Sequence, residues 1–176
     1  GRAFALSLST DYQIATATIG DVTVYSYYFP SYAVAGNAVL AASVQAFGIY
    51  SQRFGAYSHK TLSIVQGDFD DGMEFSGLYF HSKGIYNNYD GTLVNHLTAV
   101  SVHETAHQWW FEMVGNDQEA ELAAVRAYNA AITMAHEAGD QATGDLLLQI
   151  LKMEEGHADW AERQRAQIEQ MGLQNL

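Results

Sequence analysis

The 176-residue chain contains no cysteine and only one proline, at position 30. The absence of cysteine excludes disulfides, thiolate metal ligands and cysteine nucleophiles, although it does not fix the compartment. Basic residues are also scarce, because 8 Lys and Arg stand against 20 Asp and Glu, for a formal net charge of −12. This balance argues against nucleic acid and anionic membranes as partners.

Long hydrophobic runs are absent too. No run of apolar residues approaches the roughly 20 residues of a membrane span, and no signal peptide opens the chain. We therefore expect a soluble, cytoplasmic protein with no membrane partner. Hydrophobic residues make up 48% of the chain, enough for the core of one compact domain or two small ones.

The spacing of apolar residues predicts an α+β fold. Alternation around a Gly20-Asp21 turn indicates strands at Gln13–Ile19 and Val22–Phe29. The period then becomes helical over about Ala33–Phe54. Further elements follow: strands at Thr61–Gln66 and Gly77–His81, and a helix from near Thr92. We expect an antiparallel-rich sheet packed against that helix and followed by a long antiparallel helical hairpin.

The helix predicted from Thr92 carries the pattern His103-Glu104-Thr105-Ala106-His107. Histidines four residues apart stack on one helix face, where both imidazoles can bind the same metal ion. Glu104 follows the first histidine and can polarise a metal-bound water. The alternative is a core helix whose histidines match the HExxH pattern by chance.

Three motifs, in this order and spacing, extend the pattern: Tyr50–Tyr57, Gly72-Met73-Glu74-Phe75, and His103–Trp110 continuing through Gln118. On these motifs, residues 1–118 resemble the front half of the catalytic domain of gluzincin zinc aminopeptidases. The resemblance implies that His103 and His107 bind zinc and that Glu104 is the catalytic base.

The same resemblance assigns a substrate site. Gly72, Met73 and Glu74 would border the cleft, and Glu74 would hold the free amino terminus of a peptide. The family has asparagine where this chain has Phe75.

The family pattern then breaks. Nineteen residues after His107, where these peptidases have a glutamate as third zinc ligand, the chain has Arg126. A cation cannot ligate zinc. A third ligand would have to be recruited from nearby, with Glu121 or Glu119 as candidates. The family's intermediate-stabilising tyrosine lies beyond the end of this sequence.

The last part of the chain predicts two helices, Glu119–Gly139 and about Ala142–Met171. Their apolar seams include Glu121, Glu154 and His157, where an unpaired charge would be costly. A Glu-x-x-His motif with a glutamate from the neighbouring helix is half of a di-iron carboxylate site. The alternative is a hairpin that has only a packing role.

The segments Glu121–Val125, Ile150–Trp160 and Met171–Asn175 make residues 119–176 resemble the last two long helices of bacterioferritin. This resemblance implies that Glu121, Glu154 and His157 bind iron, with Glu154 bridging two ions. The first two helices of that family are missing, so a homodimer of hairpins would be needed to complete the site.

The chain therefore looks like a chimera joined near Gln118-Glu119, of natural or engineered origin. The first hypothesis is a zinc metallopeptidase of aminopeptidase type, incomplete and weakly active or inactive. The second is ferritin-like di-iron binding and iron oxidation by a dimerised hairpin. The third is a structural chimera without catalysis.

Overall fold

The computed structural model describes residues 5–68, 72–92, 95–110 and 118–170 and, within the last range, the side chains of residues 125–156 and 159. The chain divides into two compact units, Gly1–Gly115 and Asn116–Leu176. The first unit contains β1 (Gln13–Ile19), β2 (Val22–Tyr28), a 3-10 turn (Pro30–Tyr32), α1 (Ala33–Phe54), β3 (Thr61–Gly67), β4 (Gly72–Phe75), β5 (Leu78–Ser82), α2 (Lys83–Asn87) and α3 (His96–Trp110). The second contains α4 (Gln118–Glu137) and α5 (Gln141–Gln170). The α+β class predicted from the sequence is confirmed.

The five strands form one sheet in the order β1-β2-β3-β5-β4. The outer pairs β1–β2 and β4–β5 are antiparallel, whereas β2–β3 and β3–β5 are parallel. The sheet is thus mixed, and antiparallel pairing accounts for half of its ladders. Parallel neighbours need a crossover connection, and α1 provides it between β2 and β3. Strand β4 lies at an edge of the sheet.

One face of the sheet is buried under α1. Alternate residues of β2, from Val22 to Tyr28, are buried, while Tyr25 and Tyr27 between them are half-buried. Gly36 of α1 lies directly against the ring of Tyr28, where a Cβ atom would overlap the ring. Phe47 of the same helix is 2% exposed and meets the ring of Trp109 edge-on at 5.3 Å. These contacts join the sheet, α1 and α3 into one core.

Helix α3 begins at His96, four residues after the predicted start. Asn95 caps it, because its side-chain oxygen accepts a hydrogen bond from the Thr98 N–H at 3.0 Å. Leu97, Val100 and Trp109 bury the inner face of the helix. The short helix α2, which the sequence analysis did not predict, starts at Lys83 and is capped by Ser82, whose hydroxyl accepts a hydrogen bond from the Ile85 N–H.

Within the described residues, one helical stretch, Pro30–Phe54, is long and apolar enough to cross a membrane by length and composition. The sequence analysis overlooked it, since Ala, Gly and Ser dilute its larger apolar residues. A core helix passes the same test, and Val39, Leu40 and Phe47 are buried. Its burial favours a core helix over a membrane span.

The second unit is an antiparallel helical hairpin. Gly139, with φ of 74°, ends α4 in the left-handed conformation that favours glycine. The Asp140 N–H then donates to the Ala135 carbonyl at 2.9 Å. Asp140 also caps α5 by accepting hydrogen bonds from the backbone and hydroxyl of Thr143, which hold the pKa of its carboxyl below the usual value. The turn therefore closes one helix and starts the next.

Candidate metal centres

Helix α3 brings His103 and His107 together. Their Nε2 atoms lie 2.9 Å apart, and the two rings are nearly perpendicular. A hydrogen bond at this distance requires one Nε2 to carry a proton, whereas a shared metal ion requires both to present lone pairs. His107 is 8% exposed and His103 is half-buried. The pair is therefore arranged so that one ion could contact both imidazoles.

Two buried carboxylates lie beside this pair. Glu104 of α3 is 0% exposed and Glu74 of β4 is 7% exposed. The ligand atoms of Glu74, Glu104 and His107 all lie within 4.8 Å of one another. Carboxylates held this close in a buried site favour a cation between them. We call His103, His107, Glu74 and Glu104 the α3 cluster.

Strand β4 sets the position of Glu74 in this cluster. Its neighbour Gly72 lies so close to Glu104 that a Cβ atom at position 72 would overlap the carboxylate. Successive side chains of a strand point to opposite faces. Gly72 and Glu74 are accordingly buried, whereas Met73 and Phe75 are only half-buried on the other face. Of the three residues predicted to border a substrate cleft, Gly72 and Glu74 thus lie at the α3 cluster and Met73 does not.

Gln108, which the sequence analysis did not single out, fastens the β4–β5 turn to α3. Its Oε1 accepts hydrogen bonds from the Gly77 N–H (3.0 Å) and the Tyr57 hydroxyl (3.1 Å). Its Nε2 donates to the Phe75 carbonyl at 3.1 Å. Gln108 is 0% exposed, so water does not compete for these bonds. The only signal in the sequence was a polar amide beside His107 in an otherwise apolar stretch.

His81 of β5 is a second buried group that the sequence analysis missed. Ser101 Oγ donates to the Leu97 carbonyl at 2.7 Å, so it accepts from His81 Nε2 at 3.1 Å. Nδ1 of this tautomer is buried and has no hydrogen-bond partner among the described residues. Burial, reinforced by the charges of His96 and His103, lowers the pKa of His81 to about 3. His81 is therefore neutral near pH 7.

Glu154 of the hairpin is buried. Its side chain is 1% exposed on α5, beside the buried residues Ile150, Leu151 and Met153. Glu121 and His157, the other predicted iron ligands, lie on α4 and α5, but their side chains are outside the described part of the chain, as is that of Glu119. Arg126, which replaces the expected third zinc ligand, is exposed on α4.

The family model of the ferritin-like domain matches residues 90–171, slightly less than half of the chain. The matched range includes both helices of the hairpin and also α3, so it begins well before the join predicted at residue 118. The aminopeptidase resemblance of residues 1–118 stays a prediction. Residues 90–171 of this chain are similar to a ferritin-like domain.

Proposed function

We propose that the hairpin of α4 and α5 binds iron in a carboxylate site of ferritin type, and that two copies of the chain pair to complete it. The observation that carries the proposal is the burial of Glu154, at 1% exposure, in a segment that matches the ferritin-like domain. An ionised carboxylate in such a position is costly unless a cation, a proton or hydrogen bonds balance it.

The residue types on the hairpin fit iron. Glu154 and His157 form a Glu-x-x-His motif, and such motifs with single glutamates from facing helices hold di-iron centres in helical bundles. Glu154, Glu121 and His157 would hold the metal. Two hairpins related by a twofold axis would together offer four glutamates and two histidines. Bound iron would supply one-electron chemistry between its ferrous and ferric states.

Elemental analysis of the purified chain after exposure to both iron and zinc tests this proposal. We expect about one iron per chain, a dimer by light scattering, and loss of iron in Glu154→Gln and His157→Ala. Glu155→Gln is the matched control, because Glu155 is the next residue on α5 but is exposed. A monomer that takes up no iron, or equal iron in both glutamate variants, contradicts the proposal.

A second candidate function is favoured by the geometry of the α3 cluster. The 2.9 Å approach of the two imidazoles next to buried Glu104 suits a zinc hydrolase. His103 and His107 would hold the ion, and Glu104 would accept a proton from the attacking water. Bound zinc would lower the pKa of that water and polarise a carbonyl group. Peptides with free amino termini are the substrates that the aminopeptidase resemblance suggests.

Hydrolysis of an amino-terminal reporter amide by the zinc-loaded chain tests the second function. Glu104→Gln should abolish cleavage while zinc stays bound, because glutamine cannot take up the proton. His103→Gln should lose zinc, and His59→Gln, at another half-buried histidine, should not. The second function is refuted if the zinc-loaded chain cleaves nothing or if Glu104→Gln cleaves as fast as the unmodified chain.

A further inference from the structure

We infer that Glu74 is a metal ligand of the α3 cluster, completing the pair His103 and His107. This inference rests on the second function proposed above and departs from the role that the aminopeptidase resemblance gives to Glu74, recognition of a substrate amine. It also answers the question raised by Arg126, because the missing carboxylate would come from strand β4.

Distances in the cluster support a shared ion. Donor atoms about 2.0–2.2 Å from one zinc ion lie roughly 3–4 Å from each other. His103 and His107 present Nε2 atoms 2.9 Å apart, and the carboxylate of Glu74 lies within 4.8 Å of the ligand atom of His107.

The size of the cluster disfavours an amine-binding role for Glu74. The ligand atoms of Glu74, Glu104 and His107 lie within 4.8 Å of one another, so a substrate ammonium at Glu74 and a zinc ion at His107 would share one small buried cluster. Two cations held close together in a buried site repel each other. One ion shared by Glu74 and the histidines avoids this repulsion and also balances the charge of Glu104.

The backbone around Glu74 is fixed from both sides. Gln108 binds the carbonyl of the next residue, Phe75, and the N–H of Gly77, so the turn is tied to α3. On the other side, Gly72 packs against Glu104. A ligand on such a braced strand is preorganised, since its backbone is already held in place.

Zinc titration of the metal-free full chain by calorimetry, with the absorption of bound Co²⁺ as a second readout, tests the inference. We expect Glu74→Gln to weaken zinc binding roughly a hundredfold or more, since loss of an outer-shell partner alone costs 10- to 100-fold. The visible Co²⁺ spectrum should change as well. Glu74→Asp, which keeps a carboxylate one methylene shorter, should bind with intermediate affinity.

Met73→Leu is the control, because Met73 is the neighbour of Glu74 on β4 but points to the opposite face. It should bind zinc as the unmodified chain does. Unchanged zinc affinity in Glu74→Gln, together with a raised KM for an amino-terminal reporter, would instead assign Glu74 to the substrate amine and overturn the inference.

Two further outcomes separate this inference from the second function. If the unmodified chain binds zinc through Glu74 but cleaves no reporter, the ligand assignment stands and the hydrolase proposal fails. If it binds zinc no better than His103→Gln does, both fail.

Discussion

Acidification should destabilise the sheet unit through His81. In the folded chain this imidazole is fully buried, its Nε2–H is donated to Ser101, and its Nδ1 has no partner among the described residues. Protonation of Nδ1 would place a charge in an apolar core, which is why burial lowers the pKa to about 3. In the unfolded chain, His81 titrates near its ordinary value of about 6.5.

The direction and size of the effect follow from proton linkage. Between pH 6.5 and pH 3 the unfolded chain holds a proton on His81 and the folded chain does not, so stability falls as the pH falls. The pKa of His81 is about 3 in the folded chain and about 6.5 in the unfolded chain, so the free energy of unfolding falls by about 2 kcal/mol between pH 7 and pH 5. The total loss approaches roughly 4–5 kcal/mol near pH 3.

Amide hydrogen exchange in β3 and β5 measures the free energy of opening this unit, independently of the helical hairpin. In the unmodified chain, part of the free energy of opening is lost between pH 7 and pH 5. This loss should be smaller by about 2 kcal/mol in His81→Phe, whatever the stability of that variant at pH 7. His81→Gln provides a second neutral replacement. Equal pH dependence in His81→Phe and the unmodified chain would refute the linkage to His81.

Two further predictions concern the supports of the α3 cluster. Gln108→Met should lower the stability of the unit by about 1–3 kcal/mol, because the Gly77 N–H and the Phe75 carbonyl lose their hydrogen-bond partner. The Gly77 N–H should then exchange faster with solvent hydrogen. Tyr57→Phe removes only one of the three hydrogen bonds of Gln108 and should leave the Gly77 N–H protected from exchange. If the Gly77 N–H stays protected in Gln108→Met, Gln108 does not hold the turn. Gly72→Ala should destabilise the unit by about 1–3 kcal/mol in urea titrations, since its Cβ overlaps Glu104. Gly48→Ala is the control, because Gly48 lies in a helix where an added Cβ meets nothing within 4 Å. It should stabilise the unit by about 0.5–1 kcal/mol. If both alanine variants change the stability in the same direction, the packing argument is refuted.

The elements of this protein could be predicted largely from local sequence signals. The Gly20-Asp21 turn lies between β1 and β2 as expected, and the helical period from Ala33 does become α1. These elements are set by short-range preferences and side-chain periodicity, which a single sequence displays. The start of α3 was predicted too early because both Thr92 and Asn95 can cap a helix. In the structure Asn95 is the cap, since its side chain accepts a hydrogen bond from the Thr98 N–H.

The pairing of the strands could not be predicted in the same way. The parallel neighbours β2, β3 and β5 come together only after α1 crosses the sheet and β4 turns back along its edge. A strand's sequence shows which face is apolar but not which strand lies beside it. For this reason an antiparallel-rich sheet was expected where the sheet is evenly mixed.

The candidate sites likewise depend partly on local sequence signals and partly on tertiary packing. The sequence by itself determined that His103 and His107 share a helix face and that Glu154 lies on the apolar seam of α5, since both depend on the helical repeat alone. Only the tertiary structure decided that Glu74 reaches His107 and Glu104, that Met73 points away, and that Gln108 and His81 are buried beside them. Those relations join residues far apart in the chain, and they exist only because packing brings β4, β5 and α3 together.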